Sequence, residues 1–170
     1  MRHCPQYPGM EMEDNSLEVI LYDKPGHLIR RLQQIATTVF LEETAGFDTT
    51  PVQYGALAAV RAHPGIDQLR VAQAIGFDRN TISGVVERLE AKGLISRETG
   101  TDRRTKLLYL TQAGEALLRQ MYPGTERAQD RMLTGLTKAE KAAFVKMLKR
   151  VVDANNEVSR VPVSAPPRRG

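Results

Sequence analysis

The side chains best suited to chemistry in this sequence stand in two neighbouring runs. The first is Arg79-Asn80-Thr81, followed by Ser83 and Arg88. Arg and Asn offer paired hydrogen-bonding groups that match base edges in a major groove, and short Ser and Thr side chains let a helix approach closely. The second run is Asp102-Arg103-Arg104. Adjacent guanidinium groups on a turn suit a narrow minor groove, where the negative potential is greatest, and the Asp102 carboxylate is placed to orient one of them. The chemistry is recognition of a polyanion rather than bond making. Each run alone also reads as something ordinary: the first as a solvated helix face, the second as a surface turn with a local ion pair. Both together, in this order, are much less common.

Charge placement agrees. Between Arg79 and Lys106 there are seven basic residues (Arg79, Arg88, Lys92, Arg97, Arg103, Arg104, Lys106) against four acidic ones (Glu87, Glu90, Glu98, Asp102). The whole chain carries a formal net charge of +4 with a pI near 9.4, a modest bias by itself, so much of the excess lies in this segment.

Catalytic constellations are missing from the sequence. There is no phosphate-loop glycine pattern, no nucleophile elbow and no His/Cys metal spacing. His3, His27 and His63 are scattered, and Cys4 is the single cysteine, which rules out an internal disulfide. Cys4 sits in a Pro-rich leader and reads as an incidental exposed thiol. No catalytic residue, metal or cofactor is expected. No run approaches the roughly 20 apolar residues of a membrane span, and residues 1–18 lack a signal-peptide pattern, so a cytoplasmic protein is expected.

The elements that must position these groups follow from periodicity and punctuation. With 41% apolar residues, no Trp and 5% aromatics, the 170-residue chain points to a helical core of Leu, Ala, Val and Ile. Residues 1–22 read as a flexible leader and 156–170 as a disordered tail. Pro25 opens a helix with Leu28, Leu32, Ile35, Ala36, Val39 and Phe40 at helical spacing, stopping near Gly46. Thr50-Pro51 caps and starts a second helix, ended by His63-Pro64-Gly65. Asp67 caps a third, with Leu69, Val71, Ala72 and Ile75 expected inward and Gly76 as its stop. Asp78 caps a fourth, whose buried stripe is Ile82, Val85, Val86 and Leu89 and whose outer side shows Arg79, Asn80, Thr81, Ser83, Gly84 and Glu87. Helix, Gly-containing turn, helix at this spacing is a helix-turn-helix. A strand over Leu94–Arg97, a polar turn over 98–105 and a return strand over Lys106–Leu110 form a hairpin wing. Thr111 caps a long helix, expected to kink or break at Pro123-Gly124. Thr137 and Glu140 form a capping box for the last one. The fold class is mainly α with a small β-hairpin wing, a winged helix-turn-helix with helices added at either end.

The stretch Asp78–Arg97, the wing pattern Asp102, Arg104, Leu110, Thr111 and Gly114, the Thr50-Pro51 opening and Leu136 to Glu140 together resemble the multiple antibiotic resistance regulator (MarR) family of winged-helix repressors. The resemblance covers about residues 24–155. It implies a DNA-binding lobe over about 50–111 and dimerisation helices over about 25–46 and 112–155, with double-stranded DNA and a second copy of the chain as partners. Two reading helices about one DNA turn apart would then meet an imperfect palindrome. Arg79, Asn80, Thr81, Ser83, Arg88, Arg103 and Arg104 are the expected DNA contacts, with Asp102 orienting the wing.

Relatives of this type often respond to a small aromatic acid or phenol held between the lobes, among the first, second and fifth helices. The resemblance puts His27, Arg30, Arg31, Phe40 and Tyr54 forward as ligand residues: Arg for a carboxylate, His27 for a ring substituent, Tyr54 to stack or hydrogen-bond. Surface ion pairing for the arginines, a helix-start polar role for His27 and plain core for Tyr54 remain open. Peroxide-sensing relatives carry a reactive Cys in the first helix. This helix has none, which argues against such an oxidation switch. The competing reading is a winged-helix module that binds protein, which predicts a neutral or apolar outer face on the 78–92 helix.

Overall fold

The computed structural model describes residues 21–100, 105–159 and 161–163. Six helices and three short strands follow in order: α1 (Pro25–Glu43), α2 (Pro51–Ala62), β1 (Ile66–Asp67), α3 (Gln68–Ile75), α4 (Arg79–Ala91), β2 (Ile95–Thr99), β3 (Lys106–Leu110), α5 (Gln112–Arg131) and α6 (Lys138–Ala154), then a 3₁₀ turn over Asn156–Val158. This is a mainly helical winged helix-turn-helix. No helix among the described residues is long and apolar enough to cross a membrane.

Five helices start where a short polar side chain meets the first turn. Thr50, Asp67, Asp78, Thr111 and Thr137 each accept a hydrogen bond from the backbone N–H three residues on, satisfying a donor the helix itself leaves unpaired. At Thr50 and Thr137 the box is reciprocal, with the side chains of Gln53 and Glu140 accepting from the cap N–H. The exception is α1, which begins on Pro25 behind an uncapped Lys24. Leu21 and Tyr22, expected in an irregular leader, are helical. Tyr22 sets its ring at 90° to that of His27, centroids 5.4 Å apart.

Leu57, Val60, Val71, Ile82, Val86, Leu89 and Leu108 form the centre of the core, all but sealed from water. The stripe expected on α4 is buried in full. Leu69, expected inward on α3, is instead 50% exposed. Two residues along a helix turn the side chain by about 200°, so a face that buries Val71 turns Leu69 away.

The wing is larger than a hairpin. β3 lies between β2 and β1, pairing antiparallel with both: Ile95 faces Leu110, Thr99 faces Lys106, and Ile66 faces Leu108. The two-residue β1 adds a third strand that the hairpin reading did not include. β2 starts one residue later and ends two later than expected, because Leu94 binds elsewhere: its N–H donates to Leu89 O and its carbonyl accepts from Thr111 N–H.

The expected break at Pro123-Gly124 does not divide α5. Pro123 lies on the exposed side, where a lost N–H is tolerated, and Gly124 faces inward. A Cβ on Gly124 would stand 2.5 Å from the carbonyl oxygen of Glu43, so the backbones of α1 and α5 meet there with no side chain between them. Gly114 does the same at the wing base, where a Cβ would collide with the Leu94 carbonyl oxygen. Glu43 reinforces the α1–α5 crossing by pairing with Arg127 (2.8 Å) and Arg131 (3.0 Å). Those hydrogen bonds, Arg127 first, hold its carboxyl below the usual range.

Residues 156–158, expected in a disordered tail, form the 3₁₀ turn that follows α6. Two faces are left without a partner among the described residues. α6 contains no buried residue, and it exposes Val145, Met147, Val151 and Val152. On α1 only Val39 and Phe40 are buried, while Leu28, Ile29, Ile35 and Leu41 are exposed.

Candidate nucleic-acid interface

The sequence places a cap, then polar side chains, at the start of α4, and the fold turns that end outward. Arg79, Asn80, Thr81 and Arg88 are exposed, and Ser83 is half-buried with its hydroxyl donating to Glu87 (3.3 Å). Asp78 accepts both the Thr81 N–H (2.9 Å) and the Thr81 hydroxyl (2.5 Å). These bonds, the hydroxyl first, hold the Asp78 carboxyl below its ordinary value. The Thr81 hydrogen is therefore engaged, leaving its oxygen lone pairs and methyl group for any further partner. Arg88 directs its guanidinium back along the helix, with Nη2 3.9 Å from the place of a Cβ on Gly84. A helix N-terminus with exposed donors and free N–H groups is an anion-binding arrangement.

Of the five described basic residues in this segment, Lys92, Arg97 and Lys106 are committed inside the chain, Lys106 donating to Thr99 Oγ1 (2.9 Å). Lys92, at the C-terminal cap of α4, donates to the Asp48 carboxylate (2.7 Å) and also binds the Asp48 carbonyl oxygen. It keeps the Asp48 carboxyl below its usual value. Arg97 on β2 lies with Nε 2.9 Å from Glu90 on α4. The carboxylate is off the N–H directions, so this contact is one of charge, and Nε and Nη2 of Arg97 have no hydrogen-bond partner among the described residues. Neither Arg79 nor Arg88 makes an ion pair among the described residues. The ladder of β2 and β3 is closed by Gly100 N–H donating to Thr105 O (2.9 Å). Asp102, Arg103 and Arg104 belong to the connection between those strands and lie outside the described residues.

A second feature involves other helices. A cavity of about 120 Å³ opens between α1, the start of α2 and the end of α5. Ala36, Phe40, Pro51, Ala128 and Met132 make its apolar wall, with Gln33, Thr37 and Gln129 as polar groups. Of the five expected ligand residues, Phe40 lines it and Tyr54 stands behind Phe40, ring centroids 5.8 Å apart. The Tyr54 hydroxyl is 3.2 Å from Thr125 Oγ1, which itself donates to Tyr122 O (2.8 Å). Thr125 has one hydrogen to give, so Tyr54 is the donor in that pair. His27, half-buried, and Arg30 and Arg31, exposed, lie further toward the start of α1 and do not line the cavity. The sequence reading missed Gln33 and Thr37, although positions 33, 37 and 40 share one helix face. The resemblance names the fifth helix as a wall but not its residues Ala128, Gln129 and Met132, because nothing local pairs them with α1.

Comparison with known proteins gives a consistent picture. A sequence model described as MarR family matches residues 47–105. The HTH-type transcriptional repressor NicR of Pseudomonas putida is 32% identical over 135 residues, covering 78% of this chain and 85% of that protein. Among solved structures, BpsR of Bordetella bronchiseptica, described for the regulation of its DNA binding by 6-hydroxynicotinic acid, superposes with a TM-score of 0.72. It is 32% identical, covering 77% of this chain and 95% of that one. PcaV of Streptomyces coelicolor, in complex with its natural ligand, gives 0.72 at 38% identity, covering 79% and 95%.

Proposed function

The chain belongs to the MarR family of transcriptional regulators, and on that premise we propose that it is a repressor controlled by a small aromatic effector. It binds a pseudo-palindromic operator in the cytoplasm as a homodimer, and releases it when an aromatic carboxylate or phenol occupies the α1–α2–α5 cavity. The observation that carries the DNA half is α4 itself: its apolar stripe is sealed in the core, while Arg79, Asn80, Thr81 and Arg88 face solvent at one end. A protein-docking face would show the opposite composition. Arg79, Asn80 and Ser83 approach base edges, Thr81 offers its oxygen and methyl group, and Arg88 takes a phosphate. Arg103 and Arg104 enter the flanking minor groove, with Asp102 orienting the wing.

The homodimer is supported by the unpartnered apolar faces of α1 and α6, which cost free energy in water and fit a second copy of themselves. The lobes then fall at about 50–111 for DNA and at about 25–46 and 112–155 for pairing.

For the effector, the cavity is of the scale of the ~150 Å³ apolar hole that admits a benzene ring. Phe40 faces the aromatic ring and Tyr54 supports Phe40 from behind. Arg30, about one turn before Gln33, supplies the counter-charge for a carboxylate, with His27 a turn further out, whereas Arg31, two positions before Gln33, projects from another side of α1.

The test is direct. Duplexes selected from a random pool should bind the purified protein with an affinity that falls steeply as salt rises. A panel of hydroxybenzoates, hydroxycinnamates and hydroxynicotinates should contain one compound that raises the melting temperature and displaces that DNA. Affinity that ignores ionic strength would remove the phosphate-led reading, and a panel with no stabilising member would remove the effector class.

A further inference from the structure

The polar side of the cavity has a direction. Gln33 and Gln129 are exposed, whereas Thr37 is half-buried, one turn from the buried Phe40, and is the polar lining group least open to water. Its hydrogen is already used within α1. Thr37 Oγ1 donates to the Gln33 carbonyl oxygen at 3.0 Å, the back-bond that a helical hydroxyl makes to the preceding turn. A hydroxyl has one hydrogen and two lone pairs, so what Thr37 offers a guest is an acceptor. The Gln33 side-chain amide approaches the same oxygen with Nε2 at 3.5 Å, too long to satisfy it.

The wall also lacks charge. Among the described residues no ionisable side chain lines the cavity. An ionised carboxylate drawn inside would give up its hydration without gaining a counter-charge, and at Thr37 it would meet a lone pair instead of a hydrogen. A ring hydroxyl fits in both respects. It is neutral, its O–H can donate to Thr37 Oγ1, and the ring behind it meets the apolar wall of Phe40, Pro51 and Ala128. A ring that carries only halogen or hydrogen at that position leaves the Thr37 acceptor without a donor.

We propose that Thr37 determines which aromatic acids act as effectors, by accepting a hydrogen bond from a neutral ring hydroxyl. The ring enters with its hydroxyl leading, and a carboxylate stays outside the wall, where Arg30 can meet it. The assignment rests on the effector reading of the cavity and narrows it: an aromatic acid without a ring hydroxyl is a weak effector however well its ring fits.

The experiment titrates the purified full chain by isothermal calorimetry with benzoate and cinnamate, each carrying either a hydroxyl or a fluorine at the para position. Fluorine is close to hydroxyl in size and cannot donate. The hydroxyl form should bind about two- to tenfold more tightly than the fluorine form, the worth of one hydrogen bond. T37V removes the accepting oxygen at nearly constant volume and should make the two forms equal, while T37S keeps the oxygen and should keep the preference. Each comparison is made within one variant, so a general loss of packing in T37V cancels. R30A should weaken both forms alike and leave the preference unchanged. Equal binding of the two forms by the unaltered protein, or a preference that survives T37V, would overturn the role of Thr37 and leave the effector reading intact. Failure of both hydroxyl forms to bind, while another aromatic acid of the panel raises the melting temperature, would do the same. If no aromatic acid binds at all, the effector reading falls, and the role of Thr37 with it.

Discussion

Asp78 shows how one residue joins stability to recognition. Its carboxylate closes the first turn of α4 and fixes the Thr81 hydroxyl, and those bonds lower its pKa in the folded chain. A depressed value means the native state holds its proton less tightly than the unfolded one. The contribution is therefore complete above the usual aspartate range and is lost as the pH falls through that range to the lowered native value. Asp78→Asn keeps a capping oxygen but not the charge. We expect its melting-temperature deficit against the parent to be largest near neutrality and to shrink on acidification, as followed by circular dichroism; a constant deficit would mean the charge is not involved. Next to it, Asn80→Ala should lower discrimination between selected and random DNA by about 1–3 kcal/mol if Asn80 reads a base edge. An equal loss on both DNAs, measured by fluorescence anisotropy, would move Asn80 to the backbone. Arg104→Ala should weaken selected and random duplexes together, without changing the melting temperature.

Among elements, the contact that matters beyond its own strength is Lys92 with Asp48. It fastens the far end of α4 to the loop that leads, through Thr50, into Pro51 on the cavity wall. An exposed ion pair contributes little to stability, but this one links the reading helix to the cavity. Lys92→Met should leave operator affinity within about twofold, as for other exposed pairs, while raising the effector concentration needed for release. Parallel titrations with and without effector measure both; unchanged release would remove this link from the mechanism.

The same scale shows what could be read without coordinates. Thr50, Asp67, Asp78, Thr111 and Thr137 announce helix starts because a cap is a matter of four consecutive residues. The α4 stripe is legible because its period is local. β1 is not, since two residues carry no period and pair only through contact with Leu107 and Leu108, some forty positions away. The fifth helix is named as a wall of the ligand site only through the family resemblance; its residues Ala128 to Met132 escape because their partner is α1, and no spacing rule joins the two. Leu69 misleads because hydrophobicity alone does not say which way a short helix turns.

For the whole molecule, the decisive quantity is apolar surface left in water. Among the described residues α6 buries none of its own side chains, and helical stability in proteins comes chiefly from packing an amphipathic face. Met147→Asp with Val151→Asp should convert dimer to monomer in sedimentation velocity and abolish tight binding to a two-half-site duplex. Circular dichroism should show the helix-turn-helix lobe still folded, because its core draws on α2 to α5 and the sheet. A dimer that survives both substitutions would place the pairing surface elsewhere.

The bare crossing of α1 and α5 carries a mechanical consequence. Where Gly124 lies on the Glu43 carbonyl and Arg127 and Arg131 lock the same glutamate, the two helices cannot separate by rotating side chains. The cavity begins just past that point, between Phe40 and Ala128, and continues toward Gln33 and Met132. On the proposed effector reading, an occupant wedged there would pry against a fixed fulcrum, splaying the long arms of the two helices on one side and moving the loop leading to Asp48 on the other. A ring-sized guest would thus act as a crowbar, with a small displacement at the wedge delivered as a tilt to the helix that holds the groove.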